Sequence, residues 1–269
     1  VTTSVLPLLE VRGIRKSFGH VKAVRGAGLS VARGEVVAVV GDNGAGKSTF
    51  VSCISGAVEP DAGEVLLEGR SLELGSILAS MAAGIATVYQ DLAMAPDLSV
   101  AENIFLSTEL RRPGLAGRLG LIDHRRMRSE ARALVDGLGI TTLGDVGAPV
   151  GSLSGGQRQV VAVARAIARA GKLVILDEPT AALGARQSQM VLDTITAASG
   201  RGLGVLLISH DLPRVIEVAD RIVVLRFGEV VADVSPRGLT VSNVVALMLG
   251  EQNTADLPTI ASDTREDDR

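Results

Sequence analysis

The residues best suited to chemistry in this chain of 269 residues stand in the segment GDNGAGKST, positions 41 to 49. Gly41, Gly46, Lys47 and Ser48 satisfy the spacing G-x-x-x-x-G-K-[ST]. They follow the apolar run VVAVV at 36 to 40 and open into a helical pattern, which is the context this spacing requires. Glycines let the backbone curl until successive N–H groups point at phosphate oxygens, at a helix N-terminus that already favours anions. Gly41, Asn43, Gly44, Ala45, Gly46, Lys47, Ser48 and Thr49 are therefore the candidate nucleotide-binding residues of this loop. Lys47 is expected to reach the β and γ phosphates, and the Ser48 hydroxyl to ligate Mg²⁺.

A second segment, LVILDEPT, reads as a buried strand ending in Asp177 and Glu178. An acid at the carboxyl end of a parallel strand points into the crevice where such sheets bind ligands. Asp177 suits the Mg²⁺ shell, and Glu178 is placed to orient or deprotonate an attacking water. Two further residues, Gln90 after the run IATVY and His210 after VLLIS, also follow strands. Alone, a Gln at a strand end or a solitary histidine carries no chemistry. Only three histidines occur, none with metal-ligand spacing to another, so both residues gain meaning from the other segments.

The stretch LSGGQ, Leu153 to Gln157, leads into RQVVAVARAIARA, a helical pattern with no Lys, Cys or His. Its plain reading is a serine N-cap followed by glycines. Its functional reading is an anion site without a lysine, made by Ser154 and the N–H groups of Gly155 and Gly156 at the positive end of a helix over 157 to 170. Without side chains there, a phosphate held by another molecule could come close.

These segments need a scaffold. Short β-branched runs at 35–40, 85–89, 173–177, 205–209 and 221–226 alternate with helical patterns in the later half, which predicts an α/β fold with a mostly parallel sheet covered by helices. Early runs such as LLEVR and EVLLE are separated by Gly-rich turns too short for crossover helices, which predicts a small antiparallel sheet beside the main one. From about 92 to 155 strand runs give way to helical stretches, read as a helical subdomain inserted into a domain spanning 1 to 250. The acidic, weakly apolar segment 251–269 reads as a disordered tail.

Composition narrows the function. With 27 Lys and Arg against 30 Asp and Glu, the charge balance argues against a protein that wraps nucleic acid. The single cysteine, Cys53, lies in an apolar stretch and reads as a buried, inert thiol. No apolar run reaches the ~18 residues that span a bilayer, so work at a membrane would depend on a partner.

Taken in order, GDNGAGKS, Gln90, LSGGQ, LVILDE and His210 resemble the nucleotide-binding subunit of the ATP-binding cassette (ABC) transporter family, over about residues 8 to 250. The resemblance implies a phosphate-loop NTPase core and ATP hydrolysis with Mg²⁺. It implies that Ser154, Gly155, Gly156 and Gln157 close over the γ-phosphate held by a second subunit, and that Phe18 stacks on adenine. Gln90 would join the Mg²⁺ and water shell, and His210 would contact the γ-phosphate. With one GxxxxGKS, the chain is expected to act as a homodimer, held at the cytoplasmic face of the membrane by permease subunits and served by a solute-binding protein. The stretch GIATVYQDLAMAPDLSVAENIFL, with LDEPTAALG, is similar to ATPase subunits of importers for ribose, xylose and fructose. Importers of other substrates, exporters and soluble ABC ATPases are the alternatives. One departure stands out: Gly184 replaces the acid that the family usually carries after Ser-Ala-Leu, which puts coupling between the two ATP sites in doubt.

Overall fold

A computed structural model describes residues 6–89, 92–181 and 183–251. Gln90, Ala182 and the expected tail beyond 251 lie outside the described residues. The chain opens with β1 (Leu9–Phe18) and β2 (Val21–Val31), then β3 (Val36–Val40), α1 (Lys47–Ile54), β4 (Ala62–Leu67), β5 (Arg70–Ser71), α2 (Ile77–Ala83) and β6 (Ile85–Val88). There follow α3 (Val100–Ile104), α4 (Leu115–Arg118), α5 (His124–Gly137), α6 (Gly155–Arg169), β7 (Leu173–Asp177) and α7 (Ala185–Ser199). The chain continues with β8 (Gly204–Ile208), α8 (Leu212–Val218), β9 (Arg221–Arg226), β10 (Glu229–Val234) and α9 (Val241–Leu249).

Among the described residues two sheets form, as the runs and turns predict. The larger has the order β10-β9-β3-β8-β7-β6, parallel except for the β10–β9 hairpin at its edge. The smaller, β2-β1-β4-β5, is antiparallel throughout. β3 is flanked in sequence by strands of the small sheet yet sits inside the large one, between β8 and β9. Its sequence VVAVV explains this: every side chain is buried, as a parallel strand covered on both faces requires.

Alternation then sorts the core. Val37 and Val39 face α1 and the small sheet, in a cluster with Leu9, Val11, Phe50 and Val65. Val36 faces the opposite side, where Val160, Val163 and Val191 from α6 and α7 and Ala131 and Val135 from α5 pack with Val174 and Val205. The helical segment that leads from α3 to α6 thus shares its apolar core with the sheet. Ala38 and Val40 meet α8 and α9 through Val215 and Val244. Asn103, fully buried at the end of α3, donates to the carbonyls of Ala95, Leu98 and Ser99 and accepts from Ala95 N–H, which fixes the bend between β6 and α3.

This topology prepares the site. β3, β8 and β7 are parallel neighbours, with Val39 and Asp177 both opposite Ile208, so the segments leaving their carboxyl ends emerge side by side. Cys53 is buried on α1, and burial pushes its thiol up to about 11, in keeping with the inert thiol expected.

Candidate functional site

The loop after β3 is shaped by close approach. A Cβ on Gly41 would sit 2.2 Å from the Leu225 carbonyl oxygen, and one on Gly46 2.3 Å from that of Ala23. Gly46 caps α1 at φ 100°, in the left-handed region open to glycine. Phe50, fully buried one turn into α1, anchors the helix whose first residues are Lys47 and Ser48. Ala45 is buried, Asn43, Gly44 and Ser48 are exposed, and Thr49 is intermediate. Lys47 Nζ donates to the carbonyls of Gly41 at 2.6 Å and Asp42 at 3.0 Å, leaving the third proton of its ammonium for another acceptor.

Asp177 and Glu178 stand where β7 ends. Burial lowers the Lys47 pKa, while Glu178, Asp42 and Asp177 pull it back up. Burial likewise raises the Asp177 carboxyl, Glu178 adds to the rise, and Lys47 opposes it. One lysine and two acids therefore share a single electrostatic neighbourhood across the crevice. Glu178 has φ 51°, unusual for a residue with a side chain, and its N–H donates to the Ile208 carbonyl at 2.9 Å. The strand ladder thus continues through a strained residue, the kind of outlier that marks functional sites.

His210, at the end of β8, completes the group. Its Nδ1 stands 2.7 Å from Glu178 Oε2, and its side chain is 69% exposed against 19% for Glu178. That oxygen is buried and accepts no well-aligned hydrogen bond among the described residues. The Glu178 carboxylate is thus held against His210 beside the phosphate loop.

The LSGGQ segment lies at another helix start. α6 begins at Gly155, two residues before the start at 157 read from the sequence, because Ser154 is the N-cap and Gln157 the third helical residue of a capping box. Ser154 Oγ accepts from Gln157 N–H at 3.3 Å, and Gln157 Oε1 accepts from Ser154 N–H at 2.9 Å. Gln157 Nε2 also donates to the Thr142 carbonyl. The two glycines differ. A Cβ on Gly156 would lie 2.3 Å from Gln187 Cγ, so close packing of α6 on α7 requires that glycine. A Cβ on exposed Gly155 would meet nothing within 4 Å. No neighbour among the described residues explains its missing side chain.

Gly184 is the N-cap of α7, with no side chain to cap it. A Cβ there would lie 2.6 Å from Gln187 Oε1, so Gln187 occupies space beside both Gly156 and Gly184. Phe18 ends β1, opposite Val21 in the register. It is 52% exposed, with Lys16 Nζ 5.6 Å from the ring centre. Three residues passed over in the sequence also bear on the site. Arg165 and Arg169, on α6, donate to the carbonyls of Leu92, Ala93 and Leu106, tying the LSGGQ helix to the segment that follows Gln90. Phe227 lines the cleft of the phosphate loop. A basic-aliphatic helix pattern hides the arginines, and a two-residue turn hides the phenylalanine.

Residues 24–181 match the model of the ABC transporter family. The chain is 48% identical over 245 residues to a fructose import ATP-binding protein of Rhizobium meliloti, covering 91% of this chain and 94% of that one. It is 41% identical over 253 residues to a xylose/arabinose import ATP-binding protein of Sulfolobus acidocaldarius, covering 93% and 98%. Its fold is similar to the ADP conformation of an ATP-binding cassette of an ABC transporter, with a TM-score of 0.75 and 26% identity over 91% of this chain and 100% of that one. A phosphate loop, an acid pair and a histidine on neighbouring strand ends, within a chain matched almost end to end by such ATP-binding proteins, place this protein in the ABC transporter family.

Proposed function

We propose that the chain is the ATP-hydrolysing subunit of an importer that takes up a sugar of the monosaccharide class. The observation that carries this reading is the convergence of Lys47, Asp177, Glu178 and His210 at the carboxyl ends of β3, β7 and β8. The choice of a sugar rests on relatives whose names specify fructose and xylose/arabinose import.

In this reading the residues divide the work. The loop of Gly41 to Thr49 holds the triphosphate through backbone N–H groups, and Lys47 neutralises its terminal charge. Asp177 and Ser48 fit a Mg²⁺ site completed by phosphate oxygens. Among the described residues no cluster of three His, Cys, Asp or Glu side chains exists to cage a metal alone, as is usual where Mg²⁺ is bound with a nucleotide. The ion would screen developing negative charge. Gln90, outside the described residues, belongs to that shell in the same reading. Glu178 accepts a proton from the water whose oxygen attacks the γ-phosphorus, the bond to the bridging oxygen breaks, and ADP and phosphate leave. His210 keeps the Glu178 carboxylate and the water aligned.

The reading continues across a homodimer. Ser154, Gly155, Gly156 and Gln157 of one copy close on the γ-phosphate held by the other, and the open space over Gly155 supports this. Phe18 stacks on the adenine. Among the described residues no helix is long and apolar enough to cross a membrane, so permease subunits would supply the path and hold this subunit at the cytoplasmic face. A solute-binding protein would bring the sugar. A hollow of about 560 Å³ flanked by Ile77, Met81, Tyr89, Phe105 and Leu110, three of them exposed large apolar residues, offers a surface for the permease. The test is affinity purification of a tagged Glu178→Gln variant from solubilised membranes with ATP and Mg²⁺. Recovery of a polytopic membrane protein supports the importer. Recovery of ribosomal or DNA-repair proteins instead would overturn it.

A further inference from the structure

The hairpin between β9 and β10 turns on two residues, Phe227 and Gly228, with φ of 49° and 82°. Arg226 and Glu229 pair across it. A two-residue turn with both angles positive favours Asn-Gly or Asp-Gly, because those side chains tolerate the left-handed region. Phenylalanine is strained there, and 72% of Phe227 is exposed to water. Neither property helps the fold, so the residue calls for another explanation.

Its neighbours supply one. Gly228 N–H donates to the Ala45 carbonyl at 2.9 Å, and the Gly228 carbonyl accepts from Arg25 N–H at 2.7 Å. The turn is thereby pinned to the phosphate loop on one side and to β2 on the other. Phe227 lines a cleft of about 470 Å³ with Val21, Lys22, Arg25, Lys47 and Thr49. Cations with an exposed aromatic ring in one cleft match a phosphorylated molecule that carries a flat ring.

We propose that Phe227 is a second aromatic contact for the base of the bound nucleotide, additional to Phe18. The inference rests on the nucleotide reading of the phosphate loop. Stacking on an aromatic side chain is tolerant of base identity, so Phe227 adds affinity for nucleotides as a class and leaves the choice among bases to other groups.

The experiment titrates ATP, GTP and inorganic tripolyphosphate against the wild type, Phe227→Asn and Phe227→Trp, with thermal unfolding of each. Asparagine suits the turn, so Phe227→Asn is expected to unfold at a higher temperature while its Kd for ATP and GTP rises about 5- to 20-fold. Tripolyphosphate, which has no base, is expected to bind both proteins alike. Phe227→Trp, the only tryptophan in the chain, is expected to keep its affinity and to change fluorescence with ATP. Unchanged ATP affinity in Phe227→Asn, or an equal loss for tripolyphosphate, would overturn the proposal. Failure of the wild type to bind ATP would overturn the nucleotide reading and this proposal together.

Discussion

His210 Nδ1 lies 2.7 Å from Glu178 Oε2, a carboxylate oxygen that is buried and accepts no hydrogen bond among the described residues. The histidine thus limits where the carboxylate can turn. Replacing His210 with Ala should slow ATP turnover by about 10- to 100-fold while ATP affinity stays within about threefold. Stopped-flow binding and steady-state turnover on the same preparation check this, and a loss confined to affinity would argue against the role.

Asp177 is a cost to the fold. Its carboxyl is raised by burial above the ordinary value of 3.8, so between the unfolded and folded values the folded state binds more protons, and stability falls as pH rises through that window. Asp177→Asn should therefore melt at a higher temperature than the wild type at pH 7.5 without nucleotide, with the gap closing as pH drops below about 3.8. The same variant should lose stabilisation by ATP with Mg²⁺ and at least about 100-fold in turnover. Melting curves across pH settle both signs.

The two glycines of LSGGQ should respond in opposite ways. Gly156→Ala drives a Cβ against Gln187 Cβ and Cγ, close to the α7 backbone, and should destabilise by about 1 to 3 kcal/mol. Gly155→Ala adds a methyl where nothing lies within 4 Å, so stability should hold or rise slightly. Its ATP turnover should nevertheless fall at least tenfold if a second copy's phosphate comes to that surface. Denaturant melts paired with turnover separate the two effects.

Lys47→Ala acts on binding itself. The lysine carries the charge that opposes the raised Asp177 carboxyl, so its removal should weaken ATP binding by about 10- to 100-fold and raise the Asp177 carboxyl further. Calorimetric titration of ATP measures the first, and the pH dependence of residual binding the second.

Much of the site is legible in the sequence because its chemistry is local. GDNGAGKS carries its loop, its cation and its helix start within eight residues, and LVILD carries strand and acid together. Less legible are features made by contact between distant segments. β2 was hidden because Gly26 and Gly28 interrupt its alternation and register shifts break its pairing with β1. The different needs of Gly155 and Gly156 depend on Gln187, thirty-odd positions away in another helix. Phe227 looks ordinary in RFGEVV until its positive φ and its place beside Ala45 are known. The Gly184 departure was visible in the sequence, whereas the Gln187 amide in the space beside it was not.

The central claim is that Glu178 drives hydrolysis of a nucleotide held by other residues. The most direct test measures ATP turnover and ATP affinity for the wild type and Glu178→Gln with Mg²⁺ present. The account predicts turnover in the wild type and a loss of about 10² to 10⁴ in the variant, with affinity within about threefold. Equal turnover in the two proteins, or a matching collapse of affinity, would contradict it.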